Sequence, residues 1–149
     1  MATRSLTKIY NGDVEVFCMY KHYDGYVEKP GLGSELKQLM QDYVDNCSDY
    51  SARAIKSLIC AVYMSGTAGD GQTYIKPIGL VPSVDICFIY NIFCDPRGIS
   101  APVVIYTNLC EEGACESRLL WRDQVTTVLE FQDPEEDYDL VSNIQDWQR

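Results

Sequence analysis

The chain passes from strand patterns to helix patterns through Tyr20-Lys21-His22-Tyr23-Asp24-Gly25-Tyr26-Val27-Glu28-Lys29-Pro30-Gly31-Leu32-Gly33-Ser34, which contains the only histidine of the protein. Three tyrosines and four ionisable groups lie within its first nine residues. Its three glycines and one proline disfavour regular structure. The stretch therefore predicts a loop between a strand and a helix, and the other elements are best understood from this loop outward.

The residues before this loop predict a β-hairpin. Residues 6–10 alternate between apolar and polar side chains, and Asn11-Gly12 is a strong signal for a tight hairpin turn. A two-residue turn would place Lys8 opposite Glu15 on the return strand, which covers residues 13–20. The second half of that strand is apolar on both faces, which is typical of a central strand.

The residues after the loop predict two helices. Ser34 is a good N-cap, and Glu35 suits the first turn of a helix. Apolar residues then recur at helical spacing, and a second stripe of the same kind ends at Ser65-Gly66. The first stripe consists of Leu36, Leu39, Met40, Tyr43, Val44 and Cys47, and the second of Ile55, Leu58, Ile59 and Val62.

Strand patterns dominate the second half of the chain. They occupy residues 73–76, 84–93, 103–109, 117–121 and 125–131, and a short terminal helix is expected after Pro134. The first predicts a short edge strand, the second a central strand, and the others an antiparallel meander. At 149 residues the chain fits one domain. We therefore predict one α+β domain, residues 1–149, in which an antiparallel sheet of about five to seven strands carries two amphipathic helices on one face.

The chain is strongly acidic, with 22 acidic and 12 basic residues and a net charge of −10. Such a surface repels phosphate backbones, which argues against direct binding of DNA or RNA. It suits a partner with a basic surface, including a protein that itself holds nucleic acid. Residues 130–149 form an acidic C-terminal segment, and we predict that its part from residue 130 to 139 imitates a nucleic-acid backbone, with a solvated tail as the alternative. Its candidate partner-binding residues are Glu130, Asp133, Glu135, Glu136, Asp137 and Asp139.

The cysteines and the N-terminal sequence indicate a reducing compartment. Seven cysteines are present, an odd number without a C-x-x-C pair. Residues 1–6 show no apolar signal-peptide segment, and no apolar run reaches membrane-spanning length. We expect free thiols, no membrane contact and a cytoplasmic location, in the host cell if the protein is phage-encoded. Cys110, Cys115 and His22 form a poor zinc set, so no metal or other cofactor is predicted, and whether the two cysteines pair stays open.

One acid/base group stands out in the loop. His22, Asp24 and Glu28 are close in sequence, and a histidine beside a carboxylate can transfer protons near neutral pH. No serine or cysteine lies beside them at a recognisable nucleophile spacing. The alternative is structural, with His22 bonded to the loop and Asp24 capping a turn. We predict that the protein has no catalytic residues. If it is an enzyme, we predict that His22, Asp24 and Glu28 are its catalytic residues.

The loop also suggests a ligand site. Amides at the start of a helix, here Gly31 to Ser34, can hold an anion, and the lysines add positive charge. The tyrosines offer faces for a base, so a nucleotide or phosphorylated metabolite would fit. The alternative is that the glycines only permit a tight turn over packed tyrosines. The candidate ligand-binding residues are Tyr20, Lys21, His22, Tyr23, Asp24, Tyr26, Lys29, Gly31, Gly33 and Ser34.

Residues 1–4, Met-Ala-Thr-Arg, followed by residues 20–26, Tyr-Lys-His-Tyr-Asp-Gly-Tyr, resemble a family of small proteins of bacteria, archaea and their phages. The pattern of that family is M-[AGS]-T-R and then Y-[KR]-H-W-D-G-Y-P-E. This sequence has Tyr23 where tryptophan is usual and Val27 where proline is usual, and Glu28 matches. The match covers about the first third of the chain.

The resemblance implies that Arg4 and the loop at residues 22–28 form one local unit. It adds Arg4 to the candidate ligand-binding residues and suggests that Arg4 pairs with Asp24 or Glu28. It implies no particular biochemical activity, and the frequent occurrence of the family in phage-like genomes is an association only.

Three functions follow from these patterns. The leading hypothesis is a non-enzymatic phage or mobile-element accessory protein, such as an anti-CRISPR protein, that counters a host defence protein by binding its basic, nucleic-acid-binding surface. An alternative is a binder that sequesters a nucleotide-like signal molecule through residues 21–34. A second alternative is a small hydrolase or nuclease that uses His22, Asp24 and Glu28. The oligomeric state is not indicated by the sequence.

Overall fold

The computed structural model describes residues 2–64, 73–110 and 116–123, which form six strands and two helices. This arrangement confirms the predicted α+β class. The predicted strand at residues 125–131, the terminal helix and the acidic C-terminal segment lie outside the described residues. In chain order the elements are β1 (Arg4–Asn11), β2 (Val14–Lys21), α1 (Leu32–Asn46), α2 (Ala52–Tyr63), β3 (Thr73–Ile75), β4 (Ile86–Cys94), β5 (Val103–Asn108) and β6 (Ser117–Trp121).

The six strands form one sheet in the order β3-β2-β1-β4-β5-β6. All neighbours are antiparallel except β1 and β4, which run parallel with Thr7 opposite Tyr90. Since β3 runs in the same direction as β1 and β4, residues 76–85 must carry the chain back before β4 can begin. The predicted edge position of β3 and the predicted central position of β4 are both confirmed.

The hairpin between β1 and β2 forms in a different register from the predicted one. Its turn is Gly12 and Asp13, with Gly12 at φ 62°, instead of Asn11 and Gly12. A bulge in the pairing places Lys8 opposite Cys18, so the predicted register of Lys8 against Glu15 is wrong. The ion pair still forms, with Lys8 Nζ 2.9 Å from the Glu15 carboxylate, because the bulge leaves both side chains on one face of the sheet.

The main core lies between the two helices and one face of the sheet. Both predicted helical stripes supply it, because helical periodicity turns those positions towards the sheet. Each fully buried Leu or Ile side chain contributes about 1.5–3 kcal/mol to stability. The fully buried residues of this core include Leu36 and Met40 of α1, Ile55 and Ile59 of α2, and Ile9, Met19, Tyr90, Ile92 and Val104 of the strands.

A smaller cluster lies on the other face of the sheet. Leu6, Cys18 and Ile86 are buried there, and Leu80 from the connection at residues 76–85 packs against them. The Leu80 carbonyl accepts a hydrogen bond from Lys8 Nζ at 3.1 Å. The connection therefore crosses the sheet opposite the helices, which explains why the second half of β2 is apolar on both faces.

The turn after β4 is built on Asp95, which is 1% exposed. Its carboxylate accepts hydrogen bonds from the backbone amides of Arg97 and Ser100 and from the Arg97 guanidinium, at 3.0–3.1 Å. Burial acts to raise the pKa of Asp95, but these hydrogen bonds outweigh it and lower the pKa from 3.8 to about 2. The ionised carboxylate thus stabilises the turn that joins β4 to β5.

Candidate functional site

The signature loop, residues 22–31, is fastened to the sheet at Gly25. The Gly25 amide donates to the Thr3 carbonyl at 2.9 Å, and the Gly25 carbonyl accepts from the buried Tyr90 hydroxyl at 2.6 Å. A Cβ atom on Gly25 would lie 2.6 Å from the Thr3 carbonyl oxygen and 2.8 Å from the Ser5 Cβ atom. Only glycine allows so close an approach of two backbones. The loop is therefore held at one point both by β4 and by Thr3, the residue before β1.

The same loop occupies backbone donors at the start of α1. The Leu32 amide donates to the Asp24 carbonyl at 2.7 Å, and the Gly33 amide donates to the Tyr26 carbonyl at 3.1 Å. Helix α1 begins at Leu32 without a side-chain cap, so the predicted N-cap at Ser34 is wrong. Because these amides are already bonded within the chain, the geometry does not support their predicted use in holding an anion.

Gly31 and Gly33 have a packing role that accounts for both residues. A Cβ atom on Gly31 would lie 2.1 Å from the Tyr26 carbonyl oxygen, and one on Gly33 would lie 2.6 Å from the Val27 Cα atom. The loop backbone therefore lies directly against the first turn of α1. This arrangement matches the structural alternative that the sequence left open for the two glycines.

His22 does not converge with Asp24 and Glu28. Its Nδ1 atom lies 2.7 Å from the Tyr20 hydroxyl, and its ring meets the Tyr23 ring edge-on with the centroids 4.6 Å apart. In the part of the chain that the structure describes, neither carboxylate forms a hydrogen bond or an ion pair with His22. An acid/base role for the three residues stays a prediction, without support from their contacts.

Arg4 pairs with a residue that the sequence analysis did not consider. Its Nε atom lies 3.5 Å from the Asp85 carboxylate, instead of contacting Asp24 or Glu28 as the resemblance suggested. The hydrogen bond from the Ser83 hydroxyl, together with the charge of Arg4, lowers the pKa of Asp85. Arg4 is therefore tied to the residue just before β4, and Gly25 is bonded to Tyr90 of the same strand.

Tyr20 belongs to an aromatic cluster on the face opposite the helices. Its ring stacks on Tyr74 of β3 with the centroids 5.9 Å apart, and it packs against the Leu6 cluster. The Lys76 ammonium lies 5.4 Å from the centre of the Tyr20 ring, a cation–π contact. Tyr74 and Lys76 were not predicted, because only the pairing of β2 with β3 places them beside Tyr20.

The predicted ligand-binding residues do not form one site. Tyr20 lies on the face of the sheet opposite the helices, where its hydroxyl contacts His22, whereas Tyr26 lies on the helix side. Lys21 lines a separate shallow depression of about 460 Å³ with residues of α1 and α2. Lys29 is exposed. The loop thus sends its side chains to several surfaces of the protein.

A cavity of about 290 Å³ lies between the signature loop and strands β4 to β6. The loop contributes Tyr26 and Glu28, and the strands contribute Phe88, Tyr106 and Arg118 among others. Partial burial, with the nearby Asp24 carboxylate, raises the pKa of Tyr26, which keeps its hydroxyl protonated. We refer to this space as the loop–sheet cavity. The sequence analysis missed its strand residues, because neighbours across strands depend on the register.

Other predicted features are only partly covered. The six acidic partner-binding candidates and Cys115 lie outside the described residues. The described residues include six cysteines, and all six are free thiols. Among the described residues, no group of three or more His, Cys, Asp or Glu side chains is arranged to hold a metal ion. Among the described helices, α1 and α2 are both too short or too polar to cross a membrane.

Comparisons with protein-family models, curated proteins and solved structures find no match to this chain.

Proposed function

We propose that this protein is a non-enzymatic binding protein that occupies a basic, nucleic-acid-binding surface of another protein. The supporting observation is the uneven distribution of charge. The described residues contain 12 acidic and 11 basic side chains, so they are nearly balanced. Residues 124–149 contain seven acidic side chains and one basic, and therefore carry −6 of the net charge of −10.

This charge distribution suits competition with nucleic acid. Six of the ten residues from 130 to 139 are acidic, a density that resembles a run of phosphates. Opposite charges on a partner would accelerate association and fix the orientation of the complex. At physiological salt the attraction between exposed charges is largely screened beyond about 8–10 Å, and this distance shortens as salt is added. Binding to the partner should therefore weaken as the salt concentration rises.

The contacts of the signature loop favour binding over catalysis. His22 is engaged with Tyr20, and the loop backbone is used to anchor the loop and to begin α1. In a phage or other mobile element, occupying the nucleic-acid groove of a defence protein such as a CRISPR effector would block its action. The resemblance of residues 1–4 and 20–26 to a phage-associated family supports this setting.

The experiment has two steps. The full chain first captures partners from a host lysate at ~50 mM and ~200 mM salt, a range in which phosphate-like contacts weaken strongly. Each captured protein is then purified, and its nucleic-acid binding is measured with and without the full chain. We expect a basic protein that is retained only at low salt and that loses its nucleic acid to the full chain.

The variant Glu135→Gln, Glu136→Gln, Asp137→Asn tests whether the acidic segment is responsible. We expect it to lose competition at least about tenfold, because three charge contacts are removed.

The matched control also removes three exposed negative charges, by Asp13→Asn, Asp45→Asn and Glu116→Gln. It should compete like the parent protein. Equal losses in both variants, or a captured partner that still binds nucleic acid in the complex, would overturn the proposal.

A further inference from the structure

The loop–sheet cavity has a regular construction. Strand pairing sets Phe88 opposite Asn108 and Tyr106 opposite Arg118. Alternate residues of a strand share a face, so these four side chains lie on the same side of the sheet as Tyr90. The Tyr90 hydroxyl holds the signature loop above them through Gly25. The strands on one side of the cavity and the signature loop on its other side are therefore joined by a hydrogen bond.

Phe88 and Tyr106, whose rings line this cavity, both pack against the buried ring of Tyr90, which is not part of the lining. The Phe88 and Tyr90 rings have centroids 6.2 Å apart with their planes at 20°, and the Tyr90 and Tyr106 rings have centroids 6.3 Å apart at 36°. Tyr90 is fully buried, whereas Phe88 and Tyr106 are partly exposed. Rings in this arrangement suit a flat ligand, because an aromatic face attracts a stacked base.

Three polar side chains that line the cavity, Glu28, Asn108 and Arg118, determine which ligand chemistry would fit it. The Glu28 carboxylate offers hydrogen-bond acceptors, and the Arg118 guanidinium offers only donors. The Asn108 side-chain oxygen already accepts from the Cys110 amide at 3.0 Å, so its NH₂ group is the part suited to a ligand. A fitting ligand presents donors on one edge and acceptors on another.

We propose that the loop–sheet cavity binds a purine base of the guanine type. Guanine carries N–H donors at N1 and N2 for Glu28, and acceptors at O6 and N7 for Arg118. The volume of about 290 Å³ lies near the lower end of the range for ligand pockets, which suits a base more than a whole nucleotide. Glu28 and Arg118 are exposed, so the sugar and phosphate extend into solvent. This site uses none of the acidic residues on which the proposed function depends.

Isothermal titration of the full chain with guanosine monophosphate, adenosine monophosphate and inorganic phosphate tests the proposal. Guanosine monophosphate should bind more tightly than adenosine monophosphate, and phosphate should not bind. Glu28→Gln and Arg118→Gln should each weaken binding of guanosine monophosphate by about 10- to 100-fold, because each removes a paired contact to one edge of the base.

The matched controls are Glu116→Gln and Arg53→Gln, which make the same changes at exposed positions outside the cavity. They should bind guanosine monophosphate like the parent. Glu28 lies on an exposed loop, so Glu28→Gln decides the question if Arg118→Gln disturbs β6. The proposal fails if guanosine monophosphate does not bind, if adenosine monophosphate or phosphate binds equally well, or if cavity variants and controls behave alike.

Discussion

Replacing Tyr90 by phenylalanine tests how the signature loop is held. The Tyr90 side chain is fully buried, and its hydroxyl donates to the Gly25 carbonyl at 2.6 Å. The substitution keeps the ring and removes the hydroxyl, so the buried Gly25 carbonyl oxygen loses its donor and the Gly33 backbone loses a hydrogen-bond partner. Such a bond contributes about 0.5–1.5 kcal/mol, and an unsatisfied buried group adds a penalty of about 1–3 kcal/mol. We expect Tyr90→Phe to destabilise the protein by about 2 kcal/mol.

Tyr43→Phe is the matched control. The Tyr43 hydroxyl also donates to a backbone carbonyl, that of Asp49, and also at 2.6 Å, but this bond is exposed. Water can replace the hydroxyl there, so we expect a loss of less than about 0.5 kcal/mol. The two variants make the same chemical change at the same distance and differ in burial.

Urea unfolding of the parent and both variants measures the difference, read from midpoints at constant slope. A loss of about 2 kcal/mol corresponds to a fall in Tm of about 4–8 °C for a chain of this size. Hydrogen exchange should also accelerate at the amides of Leu32 and Gly33, which bond to the loop. Equal losses in Tyr90→Phe and Tyr43→Phe, or unchanged exchange at these amides, would refute the reasoning.

Three further substitutions test other contacts, each by urea unfolding. Asp95→Asn should destabilise by about 2 kcal/mol at pH 7, since the folded pKa of about 2 lies below the ordinary 3.8. That stabilisation is present above about pH 4 and is lost as the pH falls through about 2, where parent and variant should converge. Gly25→Ala should destabilise by about 1–3 kcal/mol, because its methyl group would lie 2.6 Å from the Thr3 carbonyl oxygen and 2.8 Å from the Ser5 Cβ atom. Lys8→Met should destabilise by about 1–3 kcal/mol, because the Glu15 carboxylate loses its cationic partner and keeps only the Tyr10 hydroxyl and the Gly79 amide. Adding Glu15→Gln should recover part of that loss.

The predictions for Asp95 and Lys8 each have a control or a result that would contradict them. Glu116→Gln, at an exposed carboxyl, should change stability little at any pH. A deficit of Asp95→Asn that persists at low pH would contradict the assigned role of its charge. A double variant no more stable than Lys8→Met alone would show that the ion pair is not the reason for the loss.

Local patterns were sufficient to identify the elements. The helical spacing of Leu36 and Met40 and of Ile55 and Ile59 predicted two helices packed on one side of the sheet, and all four side chains are buried there. The apolar run at residues 84–93 predicted a central strand, which is β4. These features follow from near neighbours in sequence, because the period of apolar residues decides which face an element buries.

Register and loop contacts were beyond such patterns. Lys8 lies opposite Cys18 because the turn is one residue later than predicted and the pairing contains a bulge between Ile9 and Tyr10. The two glycines at the start of α1 were compatible with an anion site and with close packing. Only the position of the Tyr26 and Val27 backbones shows that the loop occupies that space.

The sequence by itself determined the α+β class, the two helices on one face and the position of a conspicuous loop, because local periodicity and glycine content specify these. Tertiary structure decided that β1 lies parallel to β4, that Arg4 meets Asp85, and that Phe88, Tyr106 and Arg118 border one cavity with that loop. These are contacts between residues far apart in the chain. Which strands become neighbours depends on the packing of the whole sheet, and no local pattern contains that choice.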